Sequence, residues 1–200
     1  MVSSDNRFVD AADLGLDKVL GYRLDAKTSK LSPNQQLFVK SAPGAGPRHL
    51  TFHPNGNYVY VIDELADAVT LFDYESKNDV LTERQTNSTL LKDFDGTNHC
   101  AELKITPCGR FLYRTNRGHD SVAAFRIGDD GRLTLQGIEP SLGKGPENLA
   151  IAPVGKLQLC TNMAGQNVAV FRINPKTGRL ESLGEPIEIT SPSCIMIRSI

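Results

Sequence analysis

Gly46-Pro47-Arg48-His49-Leu50-Thr51-Phe52-His53-Pro54-Asn55-Gly56-Asn57-Tyr58-Val59-Tyr60-Val61-Ile62-Asp63-Glu64-Leu65-Ala66-Asp67-Ala68-Val69-Thr70-Leu71-Phe72 reads as three short strands in a row. They cover residues 50–52, 58–62 and 68–74. Pro54-Asn55-Gly56 turns the first strand into the second, and a polar corner at Asp63-Glu64 leads to the third. β-Branched and aromatic residues fill the runs, and Pro and Gly separate them, as in short antiparallel strands.

The same unit recurs along the chain. Turns equivalent to Gly56 sit at Pro107-Cys108-Gly109 and Pro153-Val154-Gly155, with a weaker one at Ser4-Asp5-Asn6, giving spacings of 50, 53 and 46 residues from Asn6 onward. Seven residues past each origin lies Asp13, Asp63, Asn116 or Asn162. Thirteen past lies Val19, Val69, Val122 or Val168, and sixteen past lies Tyr22, Phe72, Phe125 or Phe171. A leucine follows at Leu31, Leu81, Leu133 and Leu180. A period near fifty with several strands per copy predicts an all-β fold, a β-propeller of four-stranded antiparallel blades. About four blades are present, over residues 1–45, 46–97, 98–144 and 145–190, with 191–200 a closing strand or the first of a further blade. They form part of a larger ring or a closed four-bladed ring. Because a blade must pack on its neighbours, the recurring Val and aromatic positions are expected in the core. The recurring Asp/Asn is expected to cap its own turn.

Finer features depart from the pattern. Residues 1–31 form a copy without a first strand, with Asp10 where other copies carry apolar residues. An outer strand is expected at 36–40. Residues 75–95 read as the longest irregular stretch, anchored only by Leu90-Leu91. Arg114, inside a strand, needs a partner if buried. Gln158 reads at the place of Tyr60, and 191–197 reads as a first strand.

Composition narrows the functional classes. The 200 residues form one continuous array, and a net charge of −1 argues against nucleic acid or an anionic membrane as partner. No apolar run is long enough to span a membrane, and the start has no secretory pattern. Cys100, Cys108, Cys160 and Cys194 lack paired spacing, which fits reduced thiols in a cytoplasmic protein. His49, His53, His99 and His119 have no ligand spacing, so neither a metal nor another cofactor is expected.

The polar positions near strand ends are the candidates for chemistry: Arg48 and His49, Asp63 and Glu64, Asn98 and Glu102, Asn116 to Asp120, and Glu147 and Asn148. Arg48 and Arg117 are cations able to clamp an anion bidentately, although Arg117 also reads as a solvated turn residue. Glu64 is a candidate general base.

On these residues the chain resembles the lactonase family of seven-bladed β-propellers, which includes the bacterial type of 6-phosphogluconolactonase and a fungal carboxymuconate cyclase. The resemblance rests on Asn6-Arg-Phe-Val, on residues 12–19 and 46–56, on Gly109-Arg-Phe-Leu-Tyr, on Asn116-Arg-Gly-His-Asp-Ser121, on Gly143-Lys-Gly-Pro and on Pro192-Ser-Cys-Ile. Family members are much longer, which implies that this chain corresponds to about the last four blades. The resemblance implies metal-free lactone chemistry carried by Arg48, Glu64 and Arg117, facing a common hollow. His49, Asn98, Asn116, His119 and Asn148 would contact a small lactone. Two departures stand out: the family's channel histidine would fall before Met1, and Glu147 stands where many relatives carry arginine. The expected activity is hydrolysis of a phosphorylated sugar lactone. The alternatives are a non-catalytic, partner-binding propeller and a lactonizing cyclase. Self-association through an exposed blade flank is also expected.

Overall fold

The computed structural model describes residues 1–90 and 94–197. Among them are sixteen strands and no helix. The chain divides into two compact units, Met1–Asn87 and Ser88–Ile200.

In the first unit, β1 (Phe8–Asp13), β2 (Lys18–Asp25) and β3 (Lys30–Lys40) form one antiparallel meander. β4 (Pro47–Phe52), β5 (Tyr58–Asp63), β6 (Ala68–Glu75) and β7 (Val80–Ser88) form a second. Val19, Leu50, Val59, Val61, Phe72 and Leu81 make the core of this unit. Gln36 adds a polar clamp: it takes the Leu81 N–H at 2.8 Å and donates to the Leu81 carbonyl at 3.0 Å. The second unit repeats the scheme. β8 (His99–Ile105), β9 (Phe111–Arg117), β10 (Ser121–Ile127) and β11 (Leu133–Pro140) form the third sheet. β12 (Pro146–Ile151), β13 (Leu157–Asn162), β14 (Asn167–Ile173), β15 (Leu180–Ser182) and β16 (Ile187–Glu188) form the fourth, with β15 and β16 both pairing with β14. Phe111, Tyr113, Val122, Leu149, Cys160 and Phe171 are its core. The fold is all-β, built of antiparallel propeller blades.

Several sequence expectations need correction. Residues 75–95 are not irregular throughout, because β7 occupies 80–88. As an outer strand it needs only one buried apolar residue, Leu81, and its polar remainder hid it. Leu91 lies outside the described residues. β3 starts at Lys30 rather than 36; its pairing with β2 jumps from Phe38 opposite Leu20 to Pro33 opposite Tyr22, and the proline is tolerated because β3 is the edge strand of its sheet. Residues 191–197 form no strand: Ile195 N–H bonds the side chain of Asn148 at 3.1 Å instead of a ladder. Gln158 takes the place of Val59, not Tyr60, since each faces the recurring Phe of the next strand. The Val positions are buried in all four copies, but Tyr22 is only half-buried.

The recurring Asp/Asn caps its turn only at Asp13, which accepts the Leu16 N–H at 3.0 Å. The other three are buried cross-links. Asp63 accepts from Thr70 Oγ1 at 2.6 Å, Asn116 donates to Ser121 Oγ at 3.1 Å, and Asn162 donates to Ser141 O at 2.8 Å. The loops between sheets are held instead by a left-handed Asp after strand two. Asp17 accepts the N–H groups of Gly44 and Gly46, and Asp120 accepts that of Gly145. Arg114 is fully buried and donates to Thr115 O at 3.1 Å and to Asn116 Oδ1.

Asp10 is 2% exposed, and its carboxyl is pushed up to about 7, first by burial and then by the Asp79 carboxylate, while the Met1 ammonium opposes the rise. Burial also raises Asp79, against the bond that Tyr74 donates at 3.0 Å. The folded chain therefore binds this proton more tightly than the unfolded chain. The stabilising contribution is full below about pH 4 and is lost as pH rises toward 7. Asp10→Asn is expected to raise the melting temperature at pH 8 by about 3–8 °C and to change it little at pH 4. Thermal melts at the two pH values check this, and equal shifts would refute it.

Candidate functional site

Arg48 owes its position to a β-bulge. Pro47 faces Asp63 and His49 faces Ile62, so Arg48 is the extra residue of β4. Such a bulge re-aims its side chain. Gly46, at φ 64, supplies the left-handed residue before Pro47, and its carbonyl accepts the Glu64 N–H at 2.7 Å. Bulge and corner are thus fastened together, and Arg48 Nε lies 2.9 Å from Glu64 Oε2 with both side chains largely buried. The first unit therefore joins two of the expected residues, a guanidinium fork beside a carboxylate. The carboxylate can accept a proton, and the fork can take negative charge developing next to it. Asp63 faces inward, 2% exposed, and burial pushes its carboxyl up to about 6 against the Thr70 hydrogen bond. His49 stands exposed on β4.

In the second unit Arg117 ends β9. Its Nη1 lies 3.1 Å from Glu147 Oε2, and its Nη2 donates to Cys100 O at 3.3 Å. Glu147 is the bulged residue of β12, between Pro146 opposite Asn162 and Asn148 opposite Thr161. Sequence reading weighed Glu147 as a charge reversal and missed it as the partner of Arg117. The readable signal was Gly-Pro-x: Gly46-Pro47-Arg48 and Gly145-Pro146-Glu147 place opposite charges at one bulge position, each after a glycine at φ 64.

The turn that carries Arg117 is held by amides. Asn98 Nδ2 donates to Asn116 Oδ1 at 3.1 Å, and Asn98 Oδ1 accepts the His119 N–H at 3.1 Å. His119 Nδ1 meets Ser121 Oγ at 2.8 Å, and its ring packs edge-on to Phe94. Asn98 and Asn116 are buried, so these amides act as scaffolding for Arg117. Asn148 Nδ2 donates to Glu102 Oε2 at 2.6 Å, and Lys104 Nζ lies 3.1 Å from Glu102 Oε1. With Cys194 and Ile195 these three line a hollow of about 370 Å³.

A family model described as lactonase, 7-bladed β-propeller, matches residues 1–197. The chain belongs to this lactonase family. It is 32% identical over 192 residues to the 6-phosphogluconolactonase of Bacillus subtilis, covering 96% of this chain and 54% of that protein. The 6-phosphogluconolactonase of Formosa agariphila is 33% identical over 199 residues, covering 98% and 56%. Among solved structures, the periplasmic gluconolactonase of Pseudomonas aeruginosa matches with a TM-score of 0.91 and 32% identity, over 97% of this chain and 54% of that one. This lactonase-family chain thus spans about half the length of the relatives it matches.

Proposed function

We propose that the chain carries lactone-hydrolysing residues of its family, directed at a sugar lactone bearing an anionic group such as phosphate. The observation that carries this reading is the Arg48–Glu64 pair, a carboxylate held 2.9 Å from a guanidinium in a largely buried corner. The relatives named as 6-phosphogluconolactonases support the substrate class. In the proposed step Glu64 takes a proton from water as the water oxygen bonds to the lactone carbonyl carbon. Arg48 stabilises the oxyanion. The ring C–O bond then breaks, and the proton passes to the departing alkoxide, leaving an open-chain hydroxy acid.

Arg117 is proposed as an anion-binding cation in its own right, with the substrate's anionic group competing with Glu147 for its guanidinium. That competition is the specific observation favouring a second reading, a non-catalytic propeller in which both arginines serve only ion pairs. Following 6-phosphogluconolactone loss against the spontaneous rate separates the two. The proposal expects a rate well above background and a KM about 5–20-fold higher for Arg117→Ala, as for loss of one charge-assisted contact. A parent rate equal to background would leave the scaffold reading. Turnover of muconolactone-type substrates instead would favour the cyclase.

A further inference from the structure

Buried polar groups have partners, so a buried acceptor that meets no donor calls for one. The first unit holds two such acceptors at one place. Asp10 stands four residues past its turn origin, Asn6, as Tyr113 stands four past Gly109. Tyr113 reaches the turn of the next sheet, where its Oη donates to Gly178 O at 2.7 Å. Asp10 is too short to do the same. At the place of Gly178, two residues before the recurring leucine, stands Asp79, and both are left-handed (φ 75 and 58). A tyrosine bonded to a carbonyl in the second unit thus gives way in the first to two acidic side chains, both 2% exposed.

A glycine lets them gather. Asp10 lies opposite Gly21 in the β1–β2 ladder. From the point where a Gly21 Cβ would stand, Gln36 O is 2.9 Å away, Asp79 Oδ2 3.4 Å and Asn34 Cβ 3.5 Å. Opposed strand residues project on one face with their Cβ positions about 5 Å apart, so the Asp10 carboxyl shares this place. Asn34 and Gln36 come to it because the β2–β3 pairing jumps from Leu20–Phe38 to Tyr22–Pro33, which leaves residues 34–37 facing Gly21. Asp79 is held in position: Tyr74 Oη donates to its Oδ1 at 3.0 Å and Asn34 Nδ2 to its Oδ2 at 3.1 Å. Asn34 Nδ2 also donates to Asn78 O and Asp79 O, each at 3.0 Å, which fixes the amide and leaves Oδ1 as an acceptor. Asn34 is 2% exposed, and neither its Oδ1 nor Asp10 Oδ2 has a hydrogen-bond partner among the described residues. The Met1 ammonium bonds the main-chain carbonyl of Asp10, at 2.6 Å. Oxygens converge here and donors are missing.

We propose that Asp10, Asn34 and Asp79 hold a calcium ion, at a site separate from the Arg48–Glu64 corner and within the first unit. All the converging acceptors are oxygens, the ligand set of a hard cation. Two carboxylates match a divalent charge. Gln36 O and water complete a shell of about six to eight oxygens, which calcium accepts in irregular geometry where magnesium demands an octahedron. Among the described residues no three His, Cys, Asp or Glu side chains gather, so neutral oxygens supply the rest of the set. With only two acids the affinity is that of a weak site, a Kd of about 10⁻⁴ M. The ion ties β1 of the first sheet to the turn between β6 and β7 of the second, the contact that Tyr113 makes in the second unit.

Thermal melts of the full chain at pH 8, in chelator, calcium or magnesium, give the first test. Calcium at about 100 times its Kd is expected to raise the melting temperature by about 5–10 °C, and magnesium by less. Asp10→Asn is expected to keep its higher melting temperature in chelator and to lose the calcium response. Terbium gives the second test, since it occupies calcium sites and emits when a neighbouring tyrosine is excited. The chain has five tyrosines and no tryptophan, and Tyr74 touches the site. The parent is expected to show terbium emission that calcium displaces. Asp10→Asn is expected to lose it, and Tyr74→Phe to lower it while keeping the calcium shift of the melt. A parent unmoved by calcium would overturn the proposal, as would equal calcium shifts in parent and Asp10→Asn, a larger rise with magnesium, or emission unchanged by Tyr74→Phe. Activity plays no part in the readout.

Discussion

Glu64→Gln is expected to lower kcat for lactone hydrolysis by about 10²–10³-fold, the usual contribution of a positioned general base. The amide keeps the shape of the carboxylate and an acceptor for Arg48 Nε, now 2.9 Å away, but it cannot take the proton of the attacking water. KM is expected to change little, because the residue acts in the transition state. Loss of the ion pair is expected to cost about 1 kcal/mol of stability, so the variant remains folded at assay temperature. Steady-state rates corrected for spontaneous ring opening, alongside a thermal melt, make the measurement. A kcat within about threefold of an active parent would remove Glu64 from the chemistry.

Gly118→Ala is expected to destabilise the protein by about 3–5 kcal/mol and to lower its melting temperature by about 6–15 °C. Gly118 sits at φ 116, a backbone region that L side chains rarely adopt. A Cβ there would lie 2.1 Å from the Thr97 carbonyl oxygen and 3.1 Å from Asn98 Cα, both backbone atoms with no rotamer to yield. Asn98 also holds the His119 N–H and Asn116, so the strain would spread through the turn that carries Arg117. Gly56→Ala is the control: φ is 75, but nothing lies within 4 Å of the new atom, and about 1 kcal/mol is expected. Denaturant melts of the two variants check the contrast, and equal costs would show that backbone conformation alone decides.

The strands were legible because alternation and turn chemistry are local. Tyr58-Val-Tyr-Val-Ile62 between Gly56 and the Asp63 corner can scarcely form anything but a strand. β7 escaped because an outer strand needs few apolar residues, and 191–197 misled because the Ile195 N–H bonds the Asn148 side chain rather than a neighbouring strand. Arg48 and Glu64 could be named as candidates from strand-end position, but their direct pairing could not. It depends on a bulge that adds one residue to β4.

By itself the sequence determined the fifty-residue repeat, the all-β class and the lactonase family, since each is written in spacing and motif. Tertiary structure decided which charges meet. Arg117 and Glu147 are thirty positions apart, and only the bulge of β12 brings them within 3.1 Å. It also decided that Asp63, Asn116 and Asn162 cross-link strands rather than cap turns. Hydrophobic periodicity sets which face of a strand is buried, whereas a polar group's partner depends on a few tenths of an ångström in three dimensions.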